Sequence, residues 1–306
     1  MLSAKAWKPD AIMRLLLSVF VCTFAGSLLP SLRYGLGPAG TVTGKLLLAL
    51  AVVSIGSLVA TLVLINKTWR LETFERQLIA VLVCFCVGSL AGAGVQHFSG
   101  ERTPDSSPGR ILMVTLTIYG AGLILVARFL REHQMSWAEG FGLKNHRGRA
   151  VLVGMLIALL FLPVGWGLQQ ASAQVMTHLP HLKLQPQEQV VIHALRVAAS
   201  SWWDRLALGV TAILLAPVAE EIFFRGVLYP AIKQAGFPRV AWWGTALFFA
   251  VVHVNLVTFV PLTVLALALI ALYERTDNLL APITAHAMFN ALNFTTLLLL
   301  EGRMGG

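Results

Sequence analysis

The sequence predicts an all-α protein, a polytopic bundle of about eight or nine transmembrane helices. Of its 306 residues, 57% are hydrophobic and only 12% are charged, whereas a soluble domain carries about 25% charged residues. Apolar runs near 20 residues, long enough to cross a bilayer as helices, recur along the whole chain. Lys and Arg are concentrated in the connections between these runs, as is typical of the loops of membrane proteins.

The apolar runs predict helices in order along the chain. The second-last run is short and contains Pro261, so both eight and nine spans agree with the pattern. A further amphipathic helix is expected at about 186–200, either at the membrane interface or packed on the bundle. The predicted apolar helices lie at about 15–32, 45–65, 77–96, 110–130, 149–175, 206–233, 240–256, 258–273 and 279–300.

The distribution of basic residues predicts how the chain is oriented. The net charge is +9, but the basic residues do not form the patch on a soluble face that nucleic-acid binding requires. They are more numerous in the N-terminal segment and in loops 67–76 and 128–149 than on the opposite side. The excess marks the cytoplasmic side. We therefore predict a multi-pass protein of the cell (inner) membrane with a cytoplasmic N-terminus, whose partner is the lipid bilayer and not nucleic acid.

Three ionisable residues lie inside the apolar run LLAPVAEEIFFRGVLYP, which covers residues 214–230. Glu221 and Arg225 are four residues apart with the acid first, the favourable order for an ion pair on a helix. Glu220 points about 100° away around the helix and does not share that pairing. Ionisable residues inside membrane helices are rare and usually functional, although a buried structural network is the alternative interpretation.

Two further runs add polar groups that suit the same site. FFAVVHVN places Phe249 and His253 one helical turn apart, and AHAMFN places His286 and Asn290 on one face of the last predicted helix. All of these positions are compatible with one depth in the bilayer if the helices pack side by side. The sequence therefore predicts a single intramembrane site built from three helices.

The three motifs, in this order on successive helices, resemble the CPBP family of intramembrane proteases. That family groups CAAX prenyl endopeptidases with bacterial abortive-infection and bacteriocin-processing relatives. The resemblance is carried by EEIFFR (220–225), FAVVH (249–253) and HAMFN (286–290), with WAEGFGL (137–143) as a segment that precedes the core. It implies a catalytic transmembrane core at 136–306 and leaves the helices of 1–135 without an assigned role.

The resemblance also implies an activity, hydrolysis of a peptide bond within the membrane. The expected substrates are membrane-bound proteins or peptides, with prenylated CAAX-type proteins among them. The implied roles are Glu220 as general base, Glu221 and Arg225 as a positioning pair, His253 as a group that holds water, Phe249 as packing support, and His286 with Asn290 as oxyanion or water ligands.

Two versions of the chemistry remain open. In the first, Glu220 and His253 activate water directly, while His286 and Asn290 donate hydrogen bonds to the oxyanion. In the second, Glu220, His253 and His286 bind Zn²⁺. We favour the version without a cofactor, because Asn290 is a poor zinc ligand and His-Glu-x-x-His is absent.

Other polar positions and other functions carry less weight. His178 and His181 lack a neighbouring carboxylate, and Asn255 and Glu274 receive no specific role. The main alternative function is a non-catalytic membrane protein of the same fold that acts in binding, immunity or as a scaffold. A transporter with a glutamate proton relay is a third hypothesis, but its polar groups would be spread along a path.

Overall fold

The described part of the chain is entirely helical. A computed structural model describes residues 7–8, 11–12, 14–16, 18–19, 108–178, 201–253 and 255–304. No β-strand occurs in these ranges, in agreement with the predicted all-α class. Some of the predictions concern residues outside the described ranges. They are the predicted helices at 45–65, 77–96 and 186–200, most of the predicted helix at 15–32, and His181.

Seven helices are described between residues 108 and 304, and we number them in chain order. Six coincide with predicted helices to within a few residues, and the seventh is the short α2. Their bounds are α1 Pro108–Glu132, α2 Trp137–Gly140, α3 Arg147–His178, α4 Trp202–Gln234, α5 Pro238–Val251, α6 Leu256–Thr276 and α7 Leu280–Met304.

Three helices of the described ranges are long and apolar enough to cross a membrane. They are α3 with 32 residues, α4 with 33 and α6 with 21. Helix α6 is longer than the predicted 258–273 segment, so Pro261 does not prevent a full span. Helix α5 has 14 residues, which gives a length of about 21 Å, less than the roughly 30 Å of a hydrocarbon core. The predicted total of eight or nine spans is not confirmed.

Helix α3 packs against α6 and α7 in the core of one structural unit. The chain divides into one unit of Met1–Ile12, Pro104–Pro108 and Ala127–Gly306, and another of Met13–Thr103 and Gly109–Val126. In the first unit, α3 and α7 approach closely, because a Cβ atom on Gly154 would lie 2.5 Å from the carbonyl oxygen of Ala281. The core is formed by Ala150, Phe161, Leu265, Leu269, Leu272, Ala281 and Ala285.

Side chains cap the first turns of α4, α6 and α7. Ser201 precedes α4 and accepts a hydrogen bond from the backbone N–H three residues later. Asn255 precedes α6 and accepts from the N–H of Thr258 at 3.1 Å. Asn278 accepts from the N–H of Leu280 at the start of α7. These bonds satisfy amides that a helix cannot pair internally, and they fix where α6 and α7 begin.

Candidate active site

The glutamate pair lies in α4 between two stretches of π-helix. Glu220 and Glu221 belong to the α-helical stretch Ala216–Glu221, which Thr211–Leu215 precedes and Ile222–Leu228 follows. In each π-helical stretch a backbone N–H donates five residues back, as from Ala216 to Thr211. Such stretches are rare and are frequent at functional sites. The irregular backbone of α4 is therefore centred on the predicted catalytic motif.

Glu221 and Arg225 form the predicted ion pair. Arg225 Nη1 donates to Glu221 Oε1 at 2.7 Å, and the two side chains are 1% and 0% exposed. Arg225 Nη2 also donates to the carbonyl oxygen of Ala266 in α6 at 3.3 Å. The guanidinium carbon lies 4.6 Å from the centre of the Phe249 ring, a cation–π distance. Helices α5 and α6 thus also contact the arginine.

His286 contacts both glutamates. Its Nδ1 lies 2.9 Å from Glu221 Oε1, and its Nε2 lies 3.9 Å from Glu220 Oε2. Since Arg225 stays protonated, its partner Glu221 is a carboxylate that only accepts hydrogen bonds. Nδ1 of His286 therefore carries a hydrogen and donates a hydrogen bond to Glu221. In the neutral imidazole, Nε2 is then an acceptor that faces Glu220.

Phe249 connects the two histidines. Its ring is fully buried and lies 4.8 Å from the ring of His253 and 5.7 Å from that of His286, centre to centre. His253 Nδ1 lies 2.6 Å from the carbonyl oxygen of Phe249. A carbonyl only accepts, so Nδ1 is the donor and Nε2 is the acceptor of the neutral ring. Phe249 therefore packs against both histidines, and not only against His253 as the sequence suggests.

His253 does not lie inside a helix as predicted. Helix α5 ends at Val251, and His253 follows in the turn that leads to α6. The N–H of His253 donates to the carbonyl of Ala250 at 3.3 Å, which closes a tighter turn than an α-helix. The Phe249–His253 contact survives, because the side chain returns to the last turn of α5.

Asn290 holds the backbone of α4. Its Nδ2 donates to the carbonyl oxygen of Ala212 at 2.8 Å. Ala216 donates five residues back to Thr211, and in that register residue 217 would donate to Ala212. Pro217 has no N–H, so Asn290 supplies the missing donor from α7. One of its two amide hydrogens is thereby used.

The donor groups described do not form a metal centre. Within the described ranges, no group of three His, Cys, Asp or Glu side chains is arranged to hold a metal ion. The trio Glu220, His253 and His286, which the zinc alternative requires, is not assembled as a ligand set in this conformation. His178 ends α3 and contacts the carbonyl of Gln174.

Two contacts that the sequence did not assign concern Asn255 and Glu274. Asn255 is the cap of α6. Glu274 accepts hydrogen bonds from Tyr229 and Lys233, which lie four residues apart near the end of α4. The i, i+4 spacing of Tyr229 and Lys233 is visible in the sequence, but the sequence does not show that Glu274 is their shared partner.

Comparison with known proteins finds a family match over part of the chain. Residues 201–292 match the family model of Rce1-like type II CAAX prenyl endopeptidases. The matched segment is under a third of the chain and contains all three motifs at 220–225, 249–253 and 286–290. Segment 201–292 is therefore an Rce1-like domain, and the predicted resemblance is confirmed over that range.

A curated relative has a similar segment. The Bacillus subtilis (strain 168) protein "Uncharacterized protein YpbD" is 34% identical over 83 residues. The alignment covers 26% of this chain and 40% of YpbD, so the chain spans less than half of that relative. No solved structure matches the chain.

Proposed function

We propose that the chain is an intramembrane endopeptidase, because residues 201–292 match the Rce1-like family and three described helices are long and apolar enough to cross a membrane. It hydrolyses a peptide bond of a membrane-bound protein or peptide. The observation that carries the proposal is the opposition of Glu220 Oε2 and His286 Nε2 at 3.9 Å, beside the buried Glu221–Arg225 pair.

The distance between these two groups suits one water molecule. It is too long for a direct hydrogen bond, but a water between them reaches both. The water donates one hydrogen to His286 Nε2 and the other to Glu220. Its oxygen then attacks the peptide carbonyl carbon while its proton passes to the carboxylate of Glu220. Both hydrogens of the water are then donated, so His253 helps to hold the water by its position against Phe249 and not by accepting a hydrogen bond from it.

The second half of the reaction returns the proton. Attack creates a tetrahedral intermediate with a negative oxygen, which the remaining N–H of Asn290 stabilises. Protonated Glu220 then gives its proton to the nitrogen of the leaving group. The carbon–nitrogen bond breaks, and a new carboxyl terminus and a new amino terminus are released. Glu221 and Arg225 take no part in the proton transfer and hold His286 in orientation.

The proposed substrate and location are based on the family match and on the apolar helices. We propose substrates anchored in the membrane, with prenylated CAAX-type proteins among them, and a location in the cell membrane with a cytoplasmic N-terminus. Thiol labelling tests the orientation with the Lys144→Cys variant, because residue 144 is exposed in the α2–α3 connection. The proposed orientation predicts that an impermeant reagent applied outside intact cells leaves this cysteine unmodified.

The activity itself is tested with purified protein in liposomes. Fluorescent CAAX-type peptides, prenylated and unprenylated, are incubated with the protein, and product masses identify the cleaved bond. We expect cleavage by the wild type and by Glu132→Gln, a control at the exposed end of α1. Glu220→Gln is expected to be inactive. Binding of peptides without cleavage would instead favour the non-catalytic binding or scaffold function.

We also propose that the reaction needs no metal ion. The basis is the chemistry of the donor groups, since Asn290 suits an oxyanion better than zinc. Cleavage is expected to persist in the presence of a strong chelator. Loss of activity on chelation, restored by one equivalent of Zn²⁺ per chain, would reverse this preference.

A further inference from the structure

The segment Ser136–His146, which we call the junction segment, lies outside the matched range 201–292 but is tied to the site. It contains the short helix α2, whose capping box joins Ser136 and Glu139. The hydrogen bonds from Ser136 hold the pKa of Glu139 below its usual range. The junction segment is thus a defined structure and not an irregular link between α1 and α3.

The junction segment is bound to the turn that starts α7. The N–H of Leu279 donates to the carbonyl oxygen of Phe141 at 3.0 Å. Asn145 Nδ2 donates to the carbonyl of Asp277 at 3.4 Å, and Asn278 Nδ2 donates to that of Asn145. The turn therefore has three hydrogen bonds to the junction segment.

Close backbone contact strengthens this attachment. Gly142 has φ +66, and a Cβ atom there would lie 2.0 Å from the carbonyl oxygen of Asp277. Only glycine accepts both the positive φ and the contact. His286 follows Leu279 by seven residues, or about two helical turns, so the junction segment fixes the start of the helix that carries His286.

The same segment also touches α4 beside Arg225. The Phe141 side chain is 1% exposed. A Cβ atom on Gly226 would lie 2.8 Å from Phe141 Cε1 and 3.0 Å from Cδ1, which is closer than carbon atoms approach. The ring therefore occupies the space that a side chain at position 226 would need. Gly226 follows Arg225 directly in the second π-helical stretch.

We infer that Phe141 is a positioning residue, which sets α7 against α4 so that His286 Nδ1 and Arg225 Nη1 meet on the same oxygen of Glu221. The two distances to that oxygen are 2.9 Å and 2.7 Å, so a shift of about 1 Å between the helices would break one of them. Such shifts cost catalysis heavily even when they arise far from the reaction. The functional unit then begins at the junction segment. The inference rests on the proposed endopeptidase activity.

A double-mutant cycle between positions 141 and 226 tests the inference. Gly226→Ala adds a methyl group that collides with the ring, and we expect kcat to fall about 10- to 100-fold with little change in KM. Phe141→Val removes both colliding ring atoms. In the double variant the methyl group has room, so kcat is expected to recover to at least the level of Phe141→Val alone. Gly167→Ala in α3 is the matched control, because nothing lies within 4 Å of a Cβ at that position.

The outcomes are separable. Failure of the wild type to cleave any peptide overturns the proposed function itself. A cleaving wild type with additive losses in the cycle, or with losses that only follow thermal stability, overturns the positioning role of Phe141. If Gly226→Ala does not fold, the double variant still reports on the contact. The double variant is expected to fold, and a double variant that does not fold also overturns the inference.

Discussion

Two polar clusters on α4 differ in burial although their chemistry is alike. The inner cluster joins Glu221 and Arg225, which are 0% and 1% exposed. The outer cluster joins Lys233 of α4 to Glu274 of α6, with exposures of 33% and 25%. Each pairs one carboxylate with one cation. Only the inner one also binds an imidazole, that of His286.

The difference in burial separates the two clusters in what they contribute to stability. A partly exposed ion pair contributes about 0–1 kcal/mol and needs no special explanation. A fully buried pair is no more stabilising than well-packed apolar residues, because removing both charges from water is costly. One carboxylate oxygen of the inner cluster, Glu221 Oε2, is buried without a hydrogen-bond partner. Stability alone therefore does not account for the inner cluster, and the proposed catalytic role would do so.

The largest expected effect is that of Glu220→Gln on activity. The amide keeps the shape of the side chain but removes the proton acceptor, so kcat is expected to fall by about 10²- to 10⁴-fold. Thermal stability in detergent is expected to be unchanged, since Glu220 is not part of the Glu221–Arg225 pair. A comparable loss of stability would place Glu220 in a structural network instead.

The next effect is that of Glu221→Gln on both stability and activity. Removal of this charge leaves Arg225 unpaired in an apolar setting, and breaking a buried pair costs about 3–5 kcal/mol. Denaturant unfolding in detergent measures the loss, and peptide cleavage is measured in parallel. Retained stability would mean that Arg225 reaches water or another partner, and the contrast between the two clusters would lose its basis.

A smaller effect is expected from Asn290→Ala. The carbonyl of Ala212 loses its donor, which costs about 1–3 kcal/mol for a buried group, and activity falls. Adding Pro217→Ala restores a backbone N–H in the correct register, so the double variant is expected to recover stability but not activity. Recovery of both would make Asn290 a structural residue alone.

The smallest effect is expected from Glu274→Gln in the outer cluster. The substitution removes a partly exposed charge and keeps a hydrogen-bond acceptor for Tyr229. The free energy of unfolding is therefore expected to change by less than about 1 kcal/mol. Cleavage is expected to stay at the wild-type level, which makes this variant the counterpart of Glu221→Gln. A loss as large as that of the inner cluster would remove the distinction between them.

Local spacing made part of the site predictable. The Glu221–Arg225 pair follows from a four-residue separation on one helix, and the helices α3, α4, α6 and α7 follow from long apolar runs. The positions of His253 and Asn290 were predicted only in part. His253 leaves the helix because α5 ends early, and Asn290 meets Ala212 because of tertiary packing. Local sequence patterns predict neither the end of α5 nor that packing.

Contacts between distant segments were beyond the reach of local patterns. The bond from Arg225 to the carbonyl of Ala266 requires the relative height of α4 and α6, which hydrophobic periodicity does not encode. The same holds for the ring of Phe141 against Gly226. The glycine is visible in the sequence, but its neighbour is 85 residues away and becomes known only from the fold.

The π-helical stretches of α4 make the site sensitive to the number of residues and not only to their identity. Each stretch closes hydrogen bonds one residue longer than an α-helix, so α4 accommodates extra residues before and after Ala216–Glu221. Deleting a single residue from Thr211–Leu215 would let this part return to regular α-helix. Because the π-helical turn absorbs one extra residue, the two sides of this deletion would keep nearly the same faces. Deleting a second residue would turn everything on one side by about 100° relative to the other side. Glu221 would then no longer face His286, although every residue of the candidate site would still be present.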